Sequence, residues 1–168
     1  MRESKTDYYI GIARNVSLRS PCSRRKFGAI IVKNDSIIST GFNGSARGTL
    51  NCGEDIPCLK DVSGELALVS YDTCPAVHAE QNAILYADPD RRIGATMYLA
   101  SSTTADGDRP CHLCRRYIIQ SGINDIYYLD KDSKLQHEVI SQWVEMEDKW
   151  MLNILEISTG IHQKGTSI

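Results

Sequence analysis

Residues 77–84 read Val77-His78-Ala79-Glu80-Gln81-Asn82-Ala83-Ile84. His78 and Glu80 sit two apart where a helical pattern begins, one that runs to Ala87 and stops at Asp88-Pro89. A helix face repeats every three to four residues, so amphipathic patterning does not account for the pair. Taken singly, His78 reads as a capping or packed histidine, and Glu80 as a first-turn carboxylate favoured by the helix dipole. Their joint meaning depends on what surrounds them.

Downstream, residues 95–100 (ATMYLA) predict a strand, residues 111–120 a second helix ended by Ser121-Gly122, and residues 125–129 (DIYYL) a buried strand. Upstream, residues 27–33 (FGAIIVK) predict a buried strand, Asn34-Asp35 a turn, and Ser36 to Phe42 the hairpin partner. A first helix is predicted from Asp7, as its cap, to Leu18. Residues 43–75 form a long irregular stretch, of a length that is functional, disordered or tied down. A last amphipathic helix is expected from Ser133 to Leu155, with Val139, Trp143, Val144, Trp150 and Ile154 on one side. The tail, about 158–168, is expected to be disordered or lightly docked. Strands alternating with helices after residue 78 imply parallel pairing by right-handed crossovers, and the hairpin makes the sheet mixed. The expectation is one α/β domain spanning residues 1–168.

The second helix opens on Pro110-Cys111-His112-Leu113-Cys114. Cysteines three apart at a helix start point the same way, and the free N–H groups there favour thiolates. Alone, this CxxC is compatible with a thioredoxin-like redox pair. Two thiolates and one imidazole instead make three zinc ligands, leaving a fourth position for water, as in catalytic sites. Glu80 would then handle that water's proton without binding the metal. His-x-Glu at one helix start and Pro-Cys-x-x-Cys at the next is the combination that zinc nucleobase deaminases require.

On these residues the chain resembles the cytidine/deoxycytidylate deaminase superfamily, within it the deoxycytidylate branch, from about Pro21 to Leu129. CSRRKFGAIIVKNDSIISTGFNGSARG is similar to the branch's opening hairpin and Gly-aromatic-Asn-Gly loop, VHAEQNAI to its first site helix, and RPCHLCRRYIIQSGINDIYYL to its second. The resemblance implies a three-layer α/β/α fold with a five-stranded mixed sheet. It implies zinc held by His78, Cys111 and Cys114, and hydrolytic deamination at C4 of cytosine, with dCMP as substrate. Glu80 would take the proton of the attacking water, pass it to ring N3 and help ammonia leave. Asn43 matches a residue that meets the sugar or a base edge; its other reading is a turn residue. Ala79 matches the position whose N–H meets the pyrimidine carbonyl, and Arg24 a basic position near the 5′-phosphate. Where the family usually has Ser or Thr before Pro-Cys stands Arg109. It, or Lys131, would offset the acidic Asp130-Lys131-Asp132 near a phosphate.

Cys22, Cys52, Cys58 and Cys74 remain of the six cysteines. They suit a second, structural zinc that would order the long loop, or are scattered buried thiols. The net charge of −2 gives no drive for a phosphate backbone, so no nucleic-acid partner is expected. Arg24-Arg25-Lys26 is either a local anion site or solvated surface. No apolar run suits a signal peptide or a membrane span, which implies the cytoplasm, where six cysteines point to metal or redox chemistry. A homo-oligomer, dimer or hexamer, is implied by resemblance. Alternatives left open are the same chemistry on another amino-heterocycle, and a non-enzymatic or redox zinc protein.

Overall fold

The computed structural model describes residues 2–62, 74–103 and 106–159. In chain order it contains α1 (Lys5–Ser17), β1 (Phe27–Lys33), β2 (Ser36–Phe42), β3 (Gly44–Ser45), α2 (Leu59–Val62), β4 (Ala76–Val77), α3 (Ala79–Tyr86), α4 (Pro89–Arg92), β5 (Thr96–Ser101), α5 (His112–Gln120), β6 (Asp125–Leu129), β7 (Leu135–Val139) and α6 (Ile140–Thr159). The hairpin β1–β2 turns through Asn34 and Asp35, at φ 50° and 60°. Two left-handed residues are what a two-residue hairpin needs, and Asn and Asp tolerate them. Lys5 and the Tyr9 hydroxyl, both on α1, bind the Asp35 carboxylate and tie the turn to the helix.

The main sheet runs β2-β1-β5-β6-β7. β1 pairs antiparallel with β5, β5 parallel with β6, and β6 antiparallel with β7. This is the expected five-stranded mixed sheet in an α/β fold. α1 covers one face over Tyr9, Ile10, Ala13, Ile30, Val32 and Tyr98. The other face buries Ile31, Met97, Leu99, Ile118, Ile126 and Trp143 beneath α3, α5 and α6. Each such side chain removed from water stabilises the fold by about 1.5–3 kcal/mol. On this second face β2 meets α3 at Gly41, where a Cβ would run into the backbone of Ala79 and Ala83. Only glycine allows that approach, and it brings the start of α3 down against the hairpin.

Two expectations are corrected. α1 is capped by the Ser4 side chain, which accepts from the Asp7 N–H at 3.1 Å, and Asp7 lies in the first turn. Residues 135–139, expected inside the last helix, are the edge strand β7. Their alternation decides it: Leu135, His137 and Val139 are exposed while Gln136 and Glu138 are half-buried. Asp130 builds the preceding turn by accepting from the N–H groups of Asp132 and Lys134, both at 2.9 Å, with Ser133 left-handed at φ 58°. Of the long middle stretch, residues 63–73 lie outside the described residues, as does the expected tail beyond Thr159. Among the described residues no helix is long and apolar enough to cross a membrane.

Candidate metal centre

His78 stands at the N-cap of α3 and Cys111 at the N-cap of α5. Each is therefore aimed by the start of a helix rather than by a loop. The Gln81 side chain accepts from the His78 N–H at 2.9 Å, and Asn82 donates to Phe42 O at 2.7 Å, locking α3 to the end of β2. Ser39 adds a bond to Ala83 O at 2.6 Å. One turn into α5, Cys114 is fully buried, and its N–H points at the Cys111 sulfur at 3.5 Å.

His78 Nδ1 lies 3.7 Å from Cys111 Sγ and 3.3 Å from Cys114 Sγ. The three ligand atoms all lie within 4.8 Å of one another. A tetrahedral zinc with N and S ligands has edges of about 3.3–3.8 Å, so this donor set fits the ion and leaves one position open. The electrostatics agree. Hydrogen bonding from Cys114, together with His78 and the Cys114 N–H, outweighs burial and pulls the Cys111 thiol down to about 4. The Cys111 sulfur and burial push the Cys114 thiol up, while the bond to Cys111 raises His78. Two thiols this close cannot both ionise unaided; a divalent cation removes that conflict. Glu80 is buried beside the trio without belonging to it, and burial raises its carboxyl above the usual range.

His78, Ala79, Glu80 and Cys111 line a cleft of about 360 Å³, within the range of small-molecule sites. Asn43, Arg24 and Arg109 line it too, but already have partners. Asn43 Oδ1 accepts from the Phe27 N–H at 2.7 Å and its Nδ2 donates to Arg25 O at 2.9 Å. Arg24 pairs with Asp61 at 3.1 Å, both half-exposed. Arg109 grips Glu138 of β7 with Nε and Nη2, each at 3.0 Å. Sequence reasoning had Arg25 only as part of the basic cluster 24–26 and did not single out the wall residues Phe27 and Lys60. Arg25 lies over the Phe27 ring at 4.5 Å and donates to Gly107 O at 2.8 Å, beside the fully buried Asp108. The basic cluster 24–26 was the available signal for Arg25; nothing local marks Lys60.

Cys22, Cys52, Cys58 and Cys74 also line this cleft, all as free thiols. Burial raises the Cys52 thiol, with Cys58 and Cys22 adding to the effect. Among the described residues they do not form a second set as tight as the His78 trio.

The model for the cytidine and deoxycytidylate deaminase zinc-binding region matches residues 3–130. The chain is 39% identical over 127 residues to the deoxycytidylate deaminase of Mycobacterium phage D29, covering 73% of this chain and 91% of that protein. The deoxycytidylate deaminase of Schizosaccharomyces pombe is 35% identical over 127 residues, covering 76% of this chain but 37% of that longer protein. The crystal structure of the dCMP deaminase of cyanophage S-TIM5 in complex with dCMP and dUMP superposes with a TM-score of 0.53 at 27% identity, over 77% of this chain and 84% of that one. With the metal-ligand geometry and the sheet order both in place, the matched segment assigns the chain to the cytidine and deoxycytidylate deaminase family.

Proposed function

We propose that the chain hydrolyses dCMP to dUMP and ammonia. The cleft carries this reading. Beside the trio and Glu80 it is lined by Arg24, Arg25, Lys60 and Arg109. Arg24, Arg25 and Arg109 each pair with a carboxylate, Asp61, Asp106 with Asp108, and Glu138, yet with Lys60 they gather basic groups on one wall where the anionic end of a nucleotide can be met. The named activities of the phage and yeast relatives, and the dCMP and dUMP bound to the cyanophage enzyme, point the same way.

His78, Cys111 and Cys114 are the proposed zinc ligands. Zinc, when bound, supplies the Lewis acid that makes water nucleophilic near neutral pH. Glu80 accepts the first proton of the attacking water and hands it to ring N3, then takes the second from the new C4 hydroxyl and gives it to the amino group, which leaves as ammonia when the C4–N bond breaks. Its raised pKa suits both directions of transfer, because a carboxyl closer to the working pH is a better base and a usable acid. The Ala79 N–H, in the first turn of α3 where such donors lack helical partners, is assigned to the pyrimidine carbonyl. Asn43 Oδ1 keeps a second lone pair for a sugar hydroxyl. Arg24 and Arg109 are assigned to the phosphate.

The test is ammonia release from dCMP, CMP, deoxycytidine and amino-purine nucleotides. dCMP should react fastest by at least tenfold; no turnover of dCMP by zinc-loaded protein overturns the reading. Glu80→Gln should lose about 10²–10⁴-fold in kcat while zinc stays bound. We infer further that Cys22, Cys52, Cys58 and Cys74 hold a structural zinc, the metal drawing together thiols that already share one wall. Elemental analysis should then give two zinc ions per chain, and one would refute it. The protein is proposed to work in the cytoplasm, where thiols stay reduced, as a homo-oligomer. The exposed Trp150, Met151 and Ile154 of α6 are a surface for self-association, and a monomer in light scattering would refute that assembly.

A further inference from the structure

We propose that Glu138 is a positioning residue for substrate binding: it holds Arg109 so that the guanidinium meets the anionic end of the nucleotide. This rests on the nucleotide reading above. Arg109 is in the cleft wall, two residues before Cys111, and its side chain is 48% exposed. Both Glu138 oxygens meet it, Oε1 on Nε and Oε2 on Nη2, each at 3.0 Å. This two-point fork fixes the guanidinium plane as well as its place. The fork uses Nε and Nη2, so the Nη1 edge of the guanidinium is the one that can turn to a ligand.

Glu138 is itself pinned from the far side. The Tyr128 hydroxyl on β6 donates to Oε1, and the indole N–H of Trp143 on α6 donates to Oε2. Trp143 is 2% exposed, so a continuous chain of contacts runs from the core to the cleft. The other cleft arginines are held differently, Arg25 by the Phe27 ring and the Gly107 carbonyl rather than by a two-point carboxylate fork. Arg24 meets Asp61 through one nitrogen at the surface, and Arg25 reaches Asp106 and Asp108 at 3.5 and 3.6 Å. Glu138 lies on β7, beyond residues 3–130 that the family model matches. This chain supplies the carboxylate from its own C-terminal part, to serve an arginine that its sequence places before Pro-Cys.

Two effects of Glu138 oppose each other. Its charge weakens the pull of Arg109 on a phosphate, and its fork orders a long, flexible side chain. At a site open to water the charge effect is screened, whereas a loosened arginine regains its rotamer freedom in full. Ordering therefore wins, and the sign of the effect follows.

Steady-state kinetics of zinc-loaded protein on dCMP and deoxycytidine test this. Glu138→Gln should raise KM for dCMP about tenfold, change kcat less than threefold, and leave KM for deoxycytidine unmoved. Arg109→Ala should do the same, and the double variant should be no worse than Arg109→Ala alone. A lower KM for dCMP in Glu138→Gln, an equal rise for both substrates, or additive effects in the double variant overturn the positioning role. Should Glu138→Gln fail to fold, Arg109→Lys keeps the charge and loses the fork; it should raise KM for dCMP severalfold, and an unchanged KM overturns the proposal. Wild-type protein inactive on dCMP overturns the nucleotide reading and this role with it. Active wild type with unaltered variants overturns this role alone.

Discussion

A methyl group on Gly41 would collide with the nitrogen of Ala83 and the carbonyl oxygen of Ala79, backbone atoms that have nowhere to go. Gly41→Ala should therefore cost about 1–3 kcal/mol, a fall in melting temperature of roughly 3–12 °C, and displace the start of α3 with its histidine. Calorimetry and zinc content check this; a variant melting with the wild type would mean that the helix is not seated there. Glu138 offers a second residue-scale test. Burial works against its charge, but donors from Arg109, Tyr128 and Trp143 outweigh burial and hold the carboxyl below its usual range. A lowered carboxylate pKa gives stability that is complete above the unfolded value and lost as the pH falls through the folded one. Urea unfolding of Glu138→Gln should show a deficit at neutral pH that shrinks as the pH falls below the ordinary carboxylate range. A constant gap would assign the stabilisation to shape rather than charge. At this scale the grouping of His78, Cys111 and Cys114, with Glu80 buried beside it, was legible, because the proposed chemistry demands those residue types at those spacings. The Arg109–Glu138 pair was not. Its members are 29 residues apart, and neither carries a local mark of the other.

Among the elements, the central strands could be read directly. FGAIIVK and SIISTGF are apolar and β-branched, with a turn of suitable residues between them, and both strands end where expected. β7 was hidden. LQHEV has the two-residue alternation of a strand, but it abuts a strongly helical run and carries only two aliphatic residues. The helical period of Trp143 and its neighbours was extended backwards over it. The strand exists because β6 has an open edge and a turn that Asp130 builds, both of them non-local facts. α6 in turn is anchored mainly at its start, where Ile140 and Trp143 are buried, while Trp150, Met151 and Ile154 remain exposed. Trp143→Ala should accordingly cost about 3–5 kcal/mol, whereas Trp150→Ala should cost under about 1 kcal/mol in the isolated chain. Denaturant midpoints for the two variants measure this, and equal losses would contradict the placement of α6.

Across the whole molecule the two helices that carry the ligands are joined side by side on one sheet face, α3 to α5, and a metal would bridge their starts. An ion bound only by the folded form stabilises it by mass action. Stripping the protein with a strong chelator should abolish turnover and lower the melting temperature by several degrees, and zinc alone should restore both. An unchanged melt would mean that the trio holds no metal in the folded state. The fifth strand has one more consequence. The carboxylate that meets Arg109 arrives on a C-terminal annex lying past the segment that the family model matches, while His78, Glu80, Cys111 and Cys114 lie inside that segment. One support of the cleft wall thus comes from outside the stretch that holds His78, Glu80, Cys111 and Cys114. On the proposed reading, exchanging that annex would loosen Arg109 while leaving those four side chains where they are.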